Sequence, residues 1–134
     1  MSLVVVPVRY PLSEASKATL ETAIQTAEEH GADLTVLHVN LYQHSHHVTR
    51  AELRDAVETE FGRLPRTRYA VSSGLLVEET ILEEVVGLNA DVVVIGKKQA
   101  GRWRSMIRRL TDDTDIERFL REELDCEIVT AERD

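Results

Sequence analysis

Positive charge gathers at one point of the chain. Immediately after the apolar run Asp91-Val-Val-Val-Ile95 comes Gly96, and then Lys97, Lys98, Arg102, Arg104, Arg108 and Arg109 within thirteen residues. Glycine lets a backbone turn and approach a ligand closely, and clustered cations attract phosphate. The segment from Gly96 through Gly101 to Arg104 is therefore a candidate anion site, set against the plainer reading of a solvated loop pairing with nearby carboxylates. Trp103 within it, or Tyr10 further back, offers a ring on which a base can stack. The same cations could follow a nucleic-acid backbone, but 24 acidic residues against 16 basic ones give a formal net charge of −8, which repels a polyanion. A nucleotide or other phosphorylated small molecule is the ligand class such a site would take, with nucleic acid the lesser alternative.

Other reactive residues carry less. His44, His46 and His47 stand together, and imidazole is a good transition-metal ligand. No cysteine is near, and no Asp or Glu occurs between Asp33 and Glu52, so a preorganised ligand set is not supplied and the expectation is a solvated loop without metal. His38 lies inside an apolar run and reads as a histidine that has found a hydrogen bond. Ser72 and Ser73 precede Gly74, which is ordinary turn chemistry. No nucleophile elbow, metalloprotease helix or intact phosphate-binding Walker loop is present, so no catalytic residue is assigned.

The elements that must position these residues follow from the apolar pattern. Strand-like runs alternate with helical ones, which predicts a parallel sheet covered by helices on both faces, in one domain over residues 1–134. The strands are expected at Leu3 to Val8, Asp33 to Val39, roughly Arg66 to Val71, Asp91 to Gly96, and Cys126 to Ala131. The first helix opens near Ser13, buries Leu20, Ala23, Ile24 and Ala27, and stops at Gly31. After a polar loop from Asn40 to Val48, Thr49 and Glu52 form a capping box for a helix burying Leu53, Ala56, Val57 and Phe61. Ser72-Ser73-Gly74 is expected to turn the chain into a helix presenting Val77, Ile81, Val85 and Leu88. Thr114 and Glu117 are the caps expected for a last helix with Ile116, Phe119, Leu120 and Leu124 inside. The single cysteine, Cys126, cannot form an intramolecular disulfide, and the opening residues lack a basic region followed by a long apolar stretch. A cytoplasmic location without a membrane anchor is the expectation.

In their order and spacing these segments resemble the universal stress protein family. The resemblance is carried by Val5-Val-Pro-Val8, Gly31-Ala-Asp-Leu-Thr-Val-Leu-His-Val39, Gly74 with the helix around Ile81, Ala90-Asp-Val-Val-Val-Ile-Gly96, and Cys126-Glu-Ile-Val129. It implies a Rossmann-like, adenine nucleotide alpha hydrolase-like fold with a five-stranded open parallel sheet of order 3-2-1-4-5. Ligands in such sheets bind beyond the carboxyl ends of the strands where the order reverses, here around Arg9 to Leu12 and from Gly96 onward.

Members that bind ATP carry a glycine motif after the fourth strand, and this chain departs from it. Four residues separate Gly96 from Gly101, Thr111 stands where the third glycine would fall, and Asp112 replaces the hydroxyl residue. Arg9 replaces the aspartate that such members place after the first strand. Asp112, Asp113 and Asp115 would themselves occupy the last helix terminus, where phosphate is otherwise attracted. The resemblance with these departures implies a stress-response regulatory or binding module, not an enzyme, that does not bind ATP in the usual way. The alternative is an ATP or AMP sensor with a remodelled phosphate site at Gly96, Lys97, Lys98, Gly101, Arg102, Arg104 and Arg9, and at most slow hydrolysis. The resemblance further implies a homodimer through the last strand, Cys126 to Ala131, with an unidentified protein partner as a further possibility and no membrane.

Overall fold

Val4, Val5 and Val6 are inaccessible to solvent although consecutive strand residues point to opposite faces, so both faces of their strand must be covered. The computed structural model of the chain, described here for residues 2–102, 105 and 126–131, places that strand at the centre of the sheet. The elements are β1 (Leu3–Pro7), α1 (Glu14–His30), β2 (Asp33–Leu41), α2 (Arg50–Phe61), β3 (Thr67–Gly74), α3 (Val77–Gly87), β4 (Val92–Ile95) and β5 (Glu127–Thr130). Residues 97–102 are also helical. The strands pair in the order β3-β2-β1-β4-β5, every pair parallel, as the resemblance implied.

Alternate residues of the strands feed two cores. Val4, Val6, Val36 and Val94 pack with Leu20, Ala23 and Ala27 of α1 and Leu53 and Val57 of α2. Val5, Leu37, Val93 and Ile95 pack with Ile81 and Val85 of α3 and with Ala100. Leu20, Leu37, Leu53, Ile81 and Ile95 are the largest of the fully buried side chains. Each contributes roughly 1.5–3 kcal/mol relative to exposure.

Local signals end the elements where the sequence predicts. The Ser13 hydroxyl accepts from Ser16 N–H at the start of α1, and Gly31 closes it at φ 58°, a left-handed conformation that suits glycine. Thr49 and Glu52 form the reciprocal capping box of α2. Several expectations need correction. Ser72, Ser73 and Gly74 do not form a turn; they extend β3 and pair with Val39, Asn40 and Leu41, because β2 also runs on past Val39 to Leu41. The Ser72 hydroxyl finds its partner across the layer, donating to Glu84 at 2.6 Å. Leu88 caps α3 at its exposed end instead of entering the core. The stretch after Gly96 is helical where a loop was expected. The fourth helix predicted around Thr114 to Leu124 lies outside the described residues.

Gly74 is required by a close approach, since a Cβ there would collide with Thr80 Oγ1. Gly74→Ala is expected to destabilise the fold by about 1–3 kcal/mol through overpacking. Adding Thr80→Ala should recover part of that loss; urea midpoints that are unchanged for Gly74→Ala, or strictly additive in the double variant, would refute the contact.

Tyr69 of β3 is buried, and among the described residues its hydroxyl is the one buried side-chain polar atom without a hydrogen-bond partner. Burial, reinforced by the charge of Glu58, pushes its phenol up to about 12 from 10.0. The unfolded chain thus releases this proton near pH 10 and the folded chain near pH 12. The stability tied to the proton is intact below pH 10 and lost across that window. Tyr69→Phe should stabilise the protein by about 1 kcal/mol at neutral pH by removing an unmet donor, and its advantage should widen by about pH 11. An advantage that stays constant or shrinks between the two pH values in urea unfolding would contradict the burial of this hydroxyl.

Candidate functional site

The site begins with a missing donor. Val8 N–H donates to Leu37 O of β2 at 2.8 Å, and strand alternation therefore turns the Pro7 nitrogen toward β4. Proline has no N–H, so the ladder between β1 and β4 stops after two rungs, Val4↔Val92 and Val5↔Val93. The chain leaves β1 toward α1 on one side, while β4 passes through Gly96 into the helical residues on the other. A cleft of about 860 Å³ opens between them at the carboxyl ends of β1, β2 and β4, the reversal point of the strand order.

The cleft has an apolar floor of Val8, Val39, Val77 and Ile81 under a polar rim. Arg9 enters from the end of β1, with its own N–H held by the Ser16 hydroxyl at 3.1 Å. Ser16 in turn lies 3.2 Å from the Ser13 hydroxyl, so the turn into α1 is fixed by side chains rather than by a ligand. His38 of β2 lies with Nδ1 3.0 Å from Val8 O, a bond across the strands that makes Nδ1 the donor and leaves Nε2 as the acceptor of the neutral ring. Tyr10 meets that imidazole edge-on, with centroids 6.3 Å apart.

The segment from Asn40 to Val48 is more ordered than a free polar loop. The buried Asn40 side chain both donates to Val48 O and accepts from Val48 N–H, each at 2.9 Å, which clasps the segment shut. His44 and His46 are carried to the cleft by this clasp, whereas His47 turns to Leu41 O at 3.2 Å. His46 also lies 3.8 Å from a carboxylate oxygen of Glu52. Among the described residues no group of three or more His, Cys, Asp or Glu is gathered as a metal would require.

The residues singled out from the sequence divide accordingly. Gly96, Lys98, Arg102 and Arg9 reach the cleft; Lys97 and Gly101 are not part of its lining. Gly101 sits within the helical segment, and a Cβ there would meet nothing, so no close approach demands a glycine at that point. Arg102 is bound by its Nε to Glu78 at the first turn of α3. Arg104, Trp103, Arg108 and Arg109, together with the acidic stretch Thr111 to Asp115, lie outside the described residues. Sequence reasoning set aside His38 and overlooked Asn40, although both stand at the carboxyl end of the strand beside the reversal point, which is the signal that would have found them.

No Asp or Glu is part of the described lining of the cleft, although the chain has 24 of them. The polar rim offers guanidinium, ammonium, imidazole, hydroxyl and carboxamide groups, a set suited to an anion with an apolar or aromatic body.

No family model matches the sequence, and no curated protein matches it either. Solved structures do. The universal stress protein UspA from Lactobacillus plantarum superposes with a TM-score of 0.63 at 19% identity, covering 97% of both chains. A universal stress protein solved in complex with cAMP gives 0.62 at 15% identity, with the same coverage. A universal stress protein from Archaeoglobus fulgidus gives 0.64 at 21% identity, covering 98% of this chain and 44% of the other. Across nearly all of its length, then, the chain has the fold of the universal stress proteins.

Proposed function

We propose that this protein is a cytoplasmic, stress-linked regulatory module that binds a small phosphorylated ligand, an adenine nucleotide with one phosphate, in the cleft beside Pro7. The observation that carries the reading is the composition of the described lining, which has Arg9, Lys98, Arg102 and three histidines and no carboxylate. The body of the ligand fits the apolar floor, and the Tyr10 ring offers a stacking surface. Arg102 is already neutralised by Glu78, which leaves Arg9 and Lys98 as the cations of the described rim. Two cations suit one phosphate better than three, and the helical residues 97–102 replace the glycine loop expected of a triphosphate site. The cAMP complex of a protein with this fold agrees with that ligand class.

A thermal-shift titration with AMP, cAMP, ATP and inorganic phosphate, with and without magnesium, tests the reading. AMP or cAMP should raise the midpoint saturably and more than ATP or phosphate, by mass action on the native state. Arg9→Glu with Lys98→Glu should weaken that ligand at least about tenfold, the loss of charge-assisted contacts. No shift at millimolar concentration, or equal shifts for the variant, would remove the cleft as a nucleotide site.

The proposal extends to assembly. β5 ends the strand order, and Glu127 and Ala131 turn their N–H groups to β4, so alternation points those of Ile128 and Thr130 outward. Two copies paired antiparallel through these groups would form a symmetric dimer. Thr130→Pro removes an outward donor while sparing the β4 ladder. Sedimentation should show a dimer for the parent and a monomer with unchanged circular dichroism for the variant; a monomeric parent, or a dimeric variant, would rule this interface out.

A further inference from the structure

The opposite edge of the sheet carries a second concentration of positive charge. Arg50 and Arg54 of α2, Arg63 and Arg66 of the connection to β3, and Arg68 of β3 all line one groove, and all five are exposed. Arg50 and Arg54 are one helical turn apart and so share a face. The described lining holds two carboxylates, Asp33 and Glu58, and Asp33 is paired with Arg66 at 2.8 Å. An excess of three positive charges thus collects on a chain whose net charge is −8.

The floor of this groove is a free strand edge. β3 ends the strand order, and Leu34 N–H donates to Arg66 O while Tyr42 N–H donates to Gly74 O. Alternation therefore turns the backbone groups of residues 66, 68, 70, 72 and 74 toward β2. Those of Thr67, Tyr69, Val71 and Ser73 face away from the sheet, where no strand pairs with them among the described residues. The buried Tyr69 hydroxyl without a partner belongs to the same wall, under the α2 residues Arg54 and Glu58 whose charges act on it. Charged side chains on an edge strand discourage aggregation. Arg68 is placed for that, whereas the other four arginines stand off the strand, on α2 and the connection.

We propose that the β3 edge is a docking site for an extended acidic peptide of a partner protein, which adds to the sheet as one more strand while the arginines meet its carboxylates. Backbone pairing with the outward groups of Thr67 to Ser73 would supply affinity, and the arginines would supply selectivity for acidic side chains. Base stacking has no place here, because the single aromatic ring of the described lining, Tyr69, is buried. The site is independent of the nucleotide cleft, and neither proposal rests on the other.

Fluorescence anisotropy of the full chain with a labelled peptide of alternating Glu and Val, matched to β3 in length, tests the proposal. The peptide should bind saturably. The same peptide with its valines replaced by proline, which keeps the charge and removes the ladder donors, should bind at least about tenfold more weakly, as should Arg54→Glu with Arg68→Glu against the original peptide. Both substitutions are at exposed positions, and circular dichroism verifies the fold. In amide exchange by NMR, bound peptide should slow Thr67, Tyr69, Val71 and Ser73 and leave Arg68, Ala70 and Ser72 unchanged. Absence of binding, equal affinity for the proline peptide, or protection that does not follow this alternation would overturn the proposal. Tighter binding of oligouridylate than of the peptide would replace it with a nucleic-acid surface.

Discussion

Proline cannot donate a backbone hydrogen bond, and the position of Pro7 makes that incapacity the constraint from which the cleft follows. A residue with an N–H at this point could continue the β1–β4 ladder beyond Val5↔Val93. With the donor gone, the pairing of β1 and β4 ends after only two rungs, and the chain exits lead away toward α1 and toward the helical residues 97–102. In a parallel sheet the crossover connections already put successive helices on opposite faces at a reversal of strand order. Pro7 adds an early end to the pairing of the central strands to that topology. The apolar floor then follows from ordinary packing, because Val39, Val77 and Ile81 belong to the same core that covers the α3 face of the sheet.

Much of the architecture is legible in the sequence because it is local. A continuous apolar run such as Val4 to Val6 or Val92 to Ile95 reads as a strand buried on both faces, and caps such as Ser13, Gly31 and the pair Thr49 and Glu52 act within four residues of one another. Where the reading failed, the deciding contact is distant. Ser72-Ser73-Gly74 has turn composition, yet its conformation is set by pairing with β2 and by Thr80 reaching over Gly74. The segment after Gly96 has good helix formers in Lys97, Lys98, Gln99, Ala100 and Arg102, with no proline or β-branched residue. Local propensity pointed to helix there, while the expectation of a phosphate loop rested on Gly96, the clustered cations and comparison with a motif that the chain does not keep.

Charge was the harder quantity to read. The cluster from Lys97 to Arg109 is contiguous and visible, whereas the five arginines of the β3 groove are spread over α2, the connection and β3 and interrupted by Glu52, Asp55, Glu58 and Glu60. A sliding view of the sequence averages them to near neutrality. Folding sorts them: helical periodicity turns Arg50 and Arg54 to the groove together with Glu58 and keeps Glu52, Asp55 and Glu60 out of its described lining, and the return of the chain into β3 lays Arg66 and Arg68 alongside. Conversely, the contiguous cluster is partly spent internally, since Arg102 serves Glu78 and so ties the helical residues 97–102 to the first turn of α3.

The two cationic surfaces adjoin at the start of α2, because Val48 lines the cleft and Arg50, two residues on, lines the groove. Over so short a distance exposed charges are only partly screened in physiological salt. Packing links the two surfaces as well. The route available is α2: Val48, held by Asn40 at the cleft, leads directly through the Thr49 cap into the helix that carries Arg50 and Arg54 to the groove. A ligand that displaced the clasp at Asn40 would therefore act on the start of α2 before any other element. The helix that covers β3 is thus also the one most exposed to events in the cleft.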